Sequence, residues 1–213
     1  MVMNMIYNDE FVWLHFPKCA GSKIESLFRE YFFEDKGIVQ DIIDITDTSF
    51  VWHDSISQRE KRDPKFSLDE RTVICSIRNL PSWLESRYSF EFKRNPDLPH
   101  NPEMLLEGTF LEATGSKSHA DLYAKKYIPE KLLNTGKIRF LRNEYFESDF
   151  KSIFGDYLDI SIIPDGEYQE KVNASKRVIP EDIREKLYDN NRSVYDKCPY
   201  WQSVEKVAYG IYS

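Results

Sequence analysis

One segment constrains this chain more than any other: Phe11-Val12-Trp13-Leu14 running into His15-Phe16-Pro17-Lys18-Cys19-Ala20-Gly21-Ser22. The first four residues are an apolar run. Pro17 and Gly21 then punctuate a tight turn, after which Ile24, Leu27, Phe28, Tyr31 and Phe32 fall on one stripe at helical period. The spacing predicts a strand, a short loop and a helix. Ser22 stands in the expected N-cap position with Glu25 three residues on, the spacing of a capping box. Such a junction suits a phosphate-like anion, because N–H groups of the loop and first helical turn converge there and the helix dipole favours negative charge. Lys18 adds a full positive charge. The loop is not a Walker A sequence, since its lysine precedes its glycine. Read alone, it fits equally well a structural turn whose Lys18 is solvated.

Further strand and helix signals alternate along the chain. Thr72–Ile77 is rich in β-formers and reads as a buried strand, followed by Arg78-Asn79-Leu80-Pro81 and a helix from near Ser82. Val51-Trp52-His53 closes an extended segment, and Ser57–Lys65 reads as exposed loop or a short polar helix. Another strand is expected over Lys137–Leu141, with a helix within Tyr145–Phe154 and a further one over Glu181–Tyr195, started by Pro180 and carrying Ile183, Leu187 and Val194 on one face. This alternation predicts an α/β fold of three layers, with a mainly parallel central sheet and helices on both faces. The 213 residues suffice for one core, so a single domain over 1–213 is expected. Residues 95–118 interrupt it, broken by Pro96, Pro99, Pro102, Gly108 and Gly115. An irregular insertion of that length is commonly a lid or an acceptor-binding loop.

Charge and cysteine usage narrow the function classes. Twenty-nine Lys+Arg against 36 Asp+Glu give a net charge of −7, which argues against nucleic-acid or anionic-membrane binding. A locally positive site for a small anion is compatible with that balance. Three separated cysteines, Cys19, Cys75 and Cys198, match neither a disulfide framework nor a zinc site and point to a reducing, cytoplasmic setting. Met1–Glu10 lacks the pattern of a secretory leader, and no apolar run reaches membrane-spanning length.

A second constellation gives the first its meaning. Arg78 ends its strand, and strand ends in open α/β sheets are where ligands bind; Ser86-x-Tyr88 follows eight residues later on the expected helix. An arginine with a hydroxyl partner is a receptor for a second phosphate. Together the two segments resemble the sulfotransferase superfamily, whose members transfer a sulfuryl group from 3′-phosphoadenosine 5′-phosphosulfate (PAPS). Phe16-Pro17-Lys18-Cys19-Ala20-Gly21-Ser22 is similar to the family's Pro-Lys-x-x-Gly-Ser/Thr loop for the 5′-phosphosulfate. Ser76-Ile77-Arg78-Asn79 with Ser86-x-Tyr88 is similar to its 3′-phosphate segment. Phe140-Leu141-Arg142-Asn143-Glu144 looks like its later Arg-x-Glu segment, and Asn173-Ala174-Ser175 with Cys198-Pro199-Tyr200 looks like the C-terminal part of carbohydrate-type members. Two positions depart from the pattern: Lys23 replaces a second hydroxyl residue, and Leu80-Pro81 sets the proline one place late.

The resemblance implies a P-loop-like version of the α/β fold, PAPS as cosubstrate, no metal, and an acceptor hydroxyl on a carbohydrate or small alcohol. It implies that Lys18, Cys19, Ala20, Gly21, Ser22 and Lys23 line the phosphosulfate, that Arg78 and Ser86 take the 3′-phosphate, and that Lys176 and Arg177 close over the cofactor. Lys18 and His53 are the expected catalytic pair, one stabilising the leaving phosphate and the other removing the acceptor proton; Asp54 or Glu91 are carboxylate alternatives for the base. His15 is expected to support the loop. A nucleotide-dependent kinase and a non-catalytic binding module are the competing classes.

Overall fold

The structure, a computed structural model, describes residues 2–32, 34, 37–43, 53–68, 70–169 and 178–210. In chain order its strands are β1 (Val2–Tyr7), β2 (Phe11–Leu14), β3 (Val39–Ile43), β4 (Thr72–Ile77), β5 (Thr109–Leu111), β6 (Lys117–His119) and β7 (Ile138–Arg142). Its helices are α1 (Gly21–Tyr31), α2 (Ile56–Arg62), α3 (Leu80–Arg94), α4 (Ala120–Tyr127), α5 (Glu130–Leu133), α6 (Phe146–Phe154), α7 (Glu181–Tyr188), α8 (Arg192–Lys197) and α9 (Pro199–Tyr209). The chain divides into two compact units, Met1–Ile77 with Glu130–Val172, and Arg78–Pro129 with Asn173–Ser213.

The first unit is a five-stranded sheet of order β3-β1-β2-β4-β7 with helices packed on it. Strands β2, β4 and β7 are parallel neighbours, as the alternating pattern predicts. The expectation of a mainly parallel sheet is corrected at the other side, where β1 runs antiparallel to both β2 and β3. The reason is local. Asn8 Oδ1 accepts the N–H groups of Glu10 and Phe11 at 2.9 and 2.8 Å, folding Asn8–Glu10 into a tight turn that sends β2 back along β1. The sheet is therefore mixed.

Residues on β2 are buried on both faces, as befits a central strand. On one face Ile6, Phe11, Trp13, Ile74 and Leu141 meet Ile24, Leu27, Phe28 and Phe32 of the first helical stripe and Phe150, Ile153 and Phe154 of α6. The predicted stripe is thus the core-facing side of α1, with Tyr31 partly buried at its margin. Arg142, at the end of β7, makes a fork with Asp149 of α6: Nε to Oδ2 at 2.8 Å and Nη2 to Oδ1 at 2.7 Å, with the Arg142 N–H also donating to Oδ2. The Arg-x-Glu segment therefore uses its arginine to tie a strand to the next helix.

In the second unit α3 is capped by Asn79, whose side chain accepts the Ser82 N–H at 3.0 Å, with Pro81 in the first turn. Trp83 stands at 0% exposure, its ring 4.5 Å from Trp201 and 5.4 Å from Phe110. Residues 95–118 hold more order than their proline and glycine content predicts: a 3₁₀ turn over Pro102–Glu107 and the strands of the antiparallel β5–β6 hairpin. The helix expected over Glu181–Tyr195 is two, α7 and α8, because Asp189-Asn190-Asn191 interrupts it. Among the described residues no helix is long and apolar enough to cross a membrane.

Candidate active site

The loop between β2 and α1 is the most strained backbone of the described chain. Its non-glycine residues at positive φ are Lys18 at 67° and Ala20 at 60°, and both lie here. A left-handed conformation costs a non-glycine residue about 1–2 kcal/mol, so the surrounding contacts hold this shape against a local preference. The Phe16 N–H donates to Leu14 C=O at 2.9 Å and the Cys19 N–H to Phe16 C=O at 3.3 Å. Ala20 C=O accepts the N–H groups of Lys23 and Ile24. This leaves the Gly21 and Ser22 N–H groups at the start of α1 outside the helix's own ladder.

The predicted cap is corrected. Ala20, not Ser22, is the N-cap, and it makes no side-chain cap bond. Ser22 is exposed within the first turn. Glu25 does not complete a capping box, because its carboxylate turns inward to His15, with Nδ1 to Oε1 at 3.0 Å. His15 and Glu25 are 7% and 8% exposed. The His15 ring occupies the space a side chain at Gly21 would need: a Cβ there would lie 1.8 Å from Nε2. Gly21 is therefore required by close packing, with no positive φ involved.

His15 also joins the loop to the predicted base. Its ring stacks on Trp13 at 5.2 Å and 28°, and meets His53 edge-on with ring centroids 4.1 Å apart. Trp13 is itself fixed by its indole N–H, which donates to Ser76 Oγ at 3.0 Å. His53, half-buried, immediately precedes Asp54 and Ser55, the cap of α2, where Ser55 and Gln58 form a capping box. Asp54 is 1% exposed and its Oδ2 lies 2.7 Å from Arg62 Nη2. Lys18 is half-buried, Cys19 is buried, and Lys23 is buried at 7% exposure, so it does not extend into solvent.

In the second unit, Arg78 is half-buried and its Nε is a buried atom without a hydrogen-bond partner among the described residues. Ser86 is half-buried on α3. Glu91 is committed to Arg87 at 2.8 Å, and burial first, opposed by Arg87, holds its carboxyl above the usual range. Lys176, Arg177, Trp52 and the Asn173–Ser175 segment lie outside the described residues.

A cluster that sequence reading missed is His119, Asp121 and Cys198, whose ligand-type atoms lie within 4.8 Å of one another. Its members are engaged in structure. Asp121 accepts the N–H groups of Tyr200 and Trp201 at the start of α9, at 3.0 and 2.8 Å, and His119 Nδ1 accepts the Asp121 N–H. Burial, then the Asp121 and Glu205 carboxylates, push the Cys198 thiol up to about 12, so it stays protonated. The cluster caps a helix; a cation would have to displace those bonds.

Comparison with protein-family models, with curated proteins and with solved structures finds no match for this chain.

Proposed function

We propose that this protein is a PAPS-dependent sulfotransferase that moves a sulfuryl group to an acceptor hydroxyl on a carbohydrate or small alcohol. The observation that carries the reading is the β2–α1 loop: two left-handed residues, Lys18 and Ala20, an open helix N-terminus at Gly21 and Ser22, and His53 held beside the loop by His15. Such a backbone forms an anion-binding concavity. The sequence resemblance supplies the ligand.

In this mechanism Lys18, the loop amides and Ser22 hold the 5′-phosphosulfate, with Lys23 adding charge behind them. Arg78 and Ser86 are assigned the 3′-phosphate, Arg78 bringing a guanidinium N–H in need of an acceptor. His53 removes the acceptor's proton as its oxygen forms the new bond to sulfur. The bond from sulfur to the bridging phosphate oxygen breaks, and Lys18 stabilises the negative charge that collects there. The products are the sulfate ester and adenosine 3′,5′-bisphosphate, with the proton on His53. Lys176 and Arg177 are assigned to closure over the cofactor. The proposal includes a three-layer, P-loop-like arrangement with helices on both sheet faces, no metal requirement, no nucleic-acid partner and a cytoplasmic setting. The free, buried state of Cys19, Cys75 and Cys198 supports that setting.

The test is turnover of PAPS with a panel of hydroxyl acceptors, alongside calorimetry with the bisphosphate product. His53→Ala is expected to lose turnover by about 10²–10⁴-fold while still binding the bisphosphate. Lys18→Ala is expected to lose both. An active His53→Ala enzyme would remove the base assignment, and an active Lys18→Ala enzyme the proposal itself.

A further inference from the structure

We infer that Glu25 and His15 are a positioning pair that fixes His53 against the anion loop. The inference rests on the reading above for the role of His53, though the pair itself is defined by geometry. Both side chains are nearly withdrawn from water, and His15 Nδ1 lies 3.0 Å from Glu25 Oε1, an ion-pair distance. As an ion pair, the contact calls for a proton on His15 Nδ1.

The ring is then confined on every side the structure describes. Trp13 stacks on it, and Trp13 is anchored by Ser76. Gly21 packs so closely against Nε2 that no side chain fits between them. Glu25 Oε1 lies 3.0 Å from Nδ1, and His53 lies across the ring at 60° and 4.1 Å. The wall against which His53 packs is therefore built from β2 and the first turns of α1, the same elements that shape the Lys18 loop. A displacement of either element moves both the anion site and the base. Placing a base to within a fraction of an ångström is worth orders of magnitude in rate, which gives a buried pair of this kind a functional consequence beyond stability.

The experiment uses the full chain with ¹⁵N-labelled histidine. In the wild type, side-chain NMR is expected to show His15 protonated at Nδ1. In Glu25→Leu the His15 signal is expected to lose that single state, and the His53 ring signals to shift with it. Glu25→Gln, which keeps the shape of the side chain and a polar oxygen beside Nδ1, is expected to keep both signals close to wild type. In the PAPS assay Glu25→Leu is expected to lower kcat by roughly 10- to 100-fold while KM for PAPS changes by less than about 2-fold, with Glu25→Gln restoring most of it. A wild-type His15 protonated at Nε2 alone, or His53 signals unmoved in a folded Glu25→Leu protein, would overturn the pair. So would a Glu25→Leu enzyme with wild-type kcat. If the wild type binds no bisphosphate and turns over no PAPS, the sulfotransferase reading fails, and the NMR result still decides the pair.

Discussion

Gly21 shows how much of this site depends on single atoms. A methyl group added there would collide with three atoms of the His15 ring, at 1.8, 2.3 and 2.6 Å, and Trp13 and Glu25 leave that ring nowhere to go. Gly21→Ala is expected to lower stability by about 1–3 kcal/mol, measured as a fall in the urea midpoint at unchanged slope. A wild-type midpoint would mean that the loop yields freely. Cys198 gives a second prediction at this scale. Its thiol, pushed up to about 12, holds its proton across the neutral range, and only a thiolate alkylates. At pH 8 the folded protein is expected to leave Cys198 unmodified by iodoacetamide, and labelling is expected to appear on unfolding in urea. Mass-spectrometric mapping of rapid native labelling at Cys198 would contradict this. The sequence marked Gly21 as punctuation of the turn and His15 as a core or loop-supporting residue. It did not show why, since the tie between residues 15 and 25 forms only when α1 folds back over the end of β2, and Glu25 at capping-box spacing reads as a cap until His15 is seen beneath it.

At the level of elements, legibility followed burial. β4, β7 and the stripe of α1 were plain, because their apolar residues repeat at strand or helix period and end up in one core. β1 was not, since its sequence signal is a short apolar run broken by polar Asn4 and its partner strands come from either side in the fold. The split between α7 and α8 was hidden for a different reason: Ile183, Leu187 and Val194 keep a helix-like spacing across a break that Asn190 and Asn191 create. The position of Arg142 suggested a family motif, and its guanidinium is spent on Asp149. Asp149→Ala removes three charge-assisted hydrogen bonds between β7 and α6, two of them from the Arg142 guanidinium. It is expected to cost about 2 kcal/mol in urea unfolding. A change below a few tenths of a kcal/mol would show that the fork contributes nothing to the joint.

For the molecule as a whole, the two halves of the proposed cosubstrate site draw on different stretches of chain. The Lys18 loop belongs to the first unit, and Arg78 and Ser86 belong to the second. The loop's shape is a property of the fold, and the ligand proposed for it rests on the resemblance of the Arg78 and Ser86 segment to a 3′-phosphate receptor. That division makes the account testable without knowing the acceptor. The most direct measurement is calorimetric titration of the wild type and Arg78→Ala with adenosine 3′,5′-bisphosphate and with 5′-AMP. The account predicts that the wild type binds the bisphosphate at least about tenfold more tightly than 5′-AMP, roughly 1.4 kcal/mol, and that Arg78→Ala erases the difference by weakening the bisphosphate alone. Equal affinity for the two nucleotides in the wild type, or equal losses for both in the variant, would contradict it.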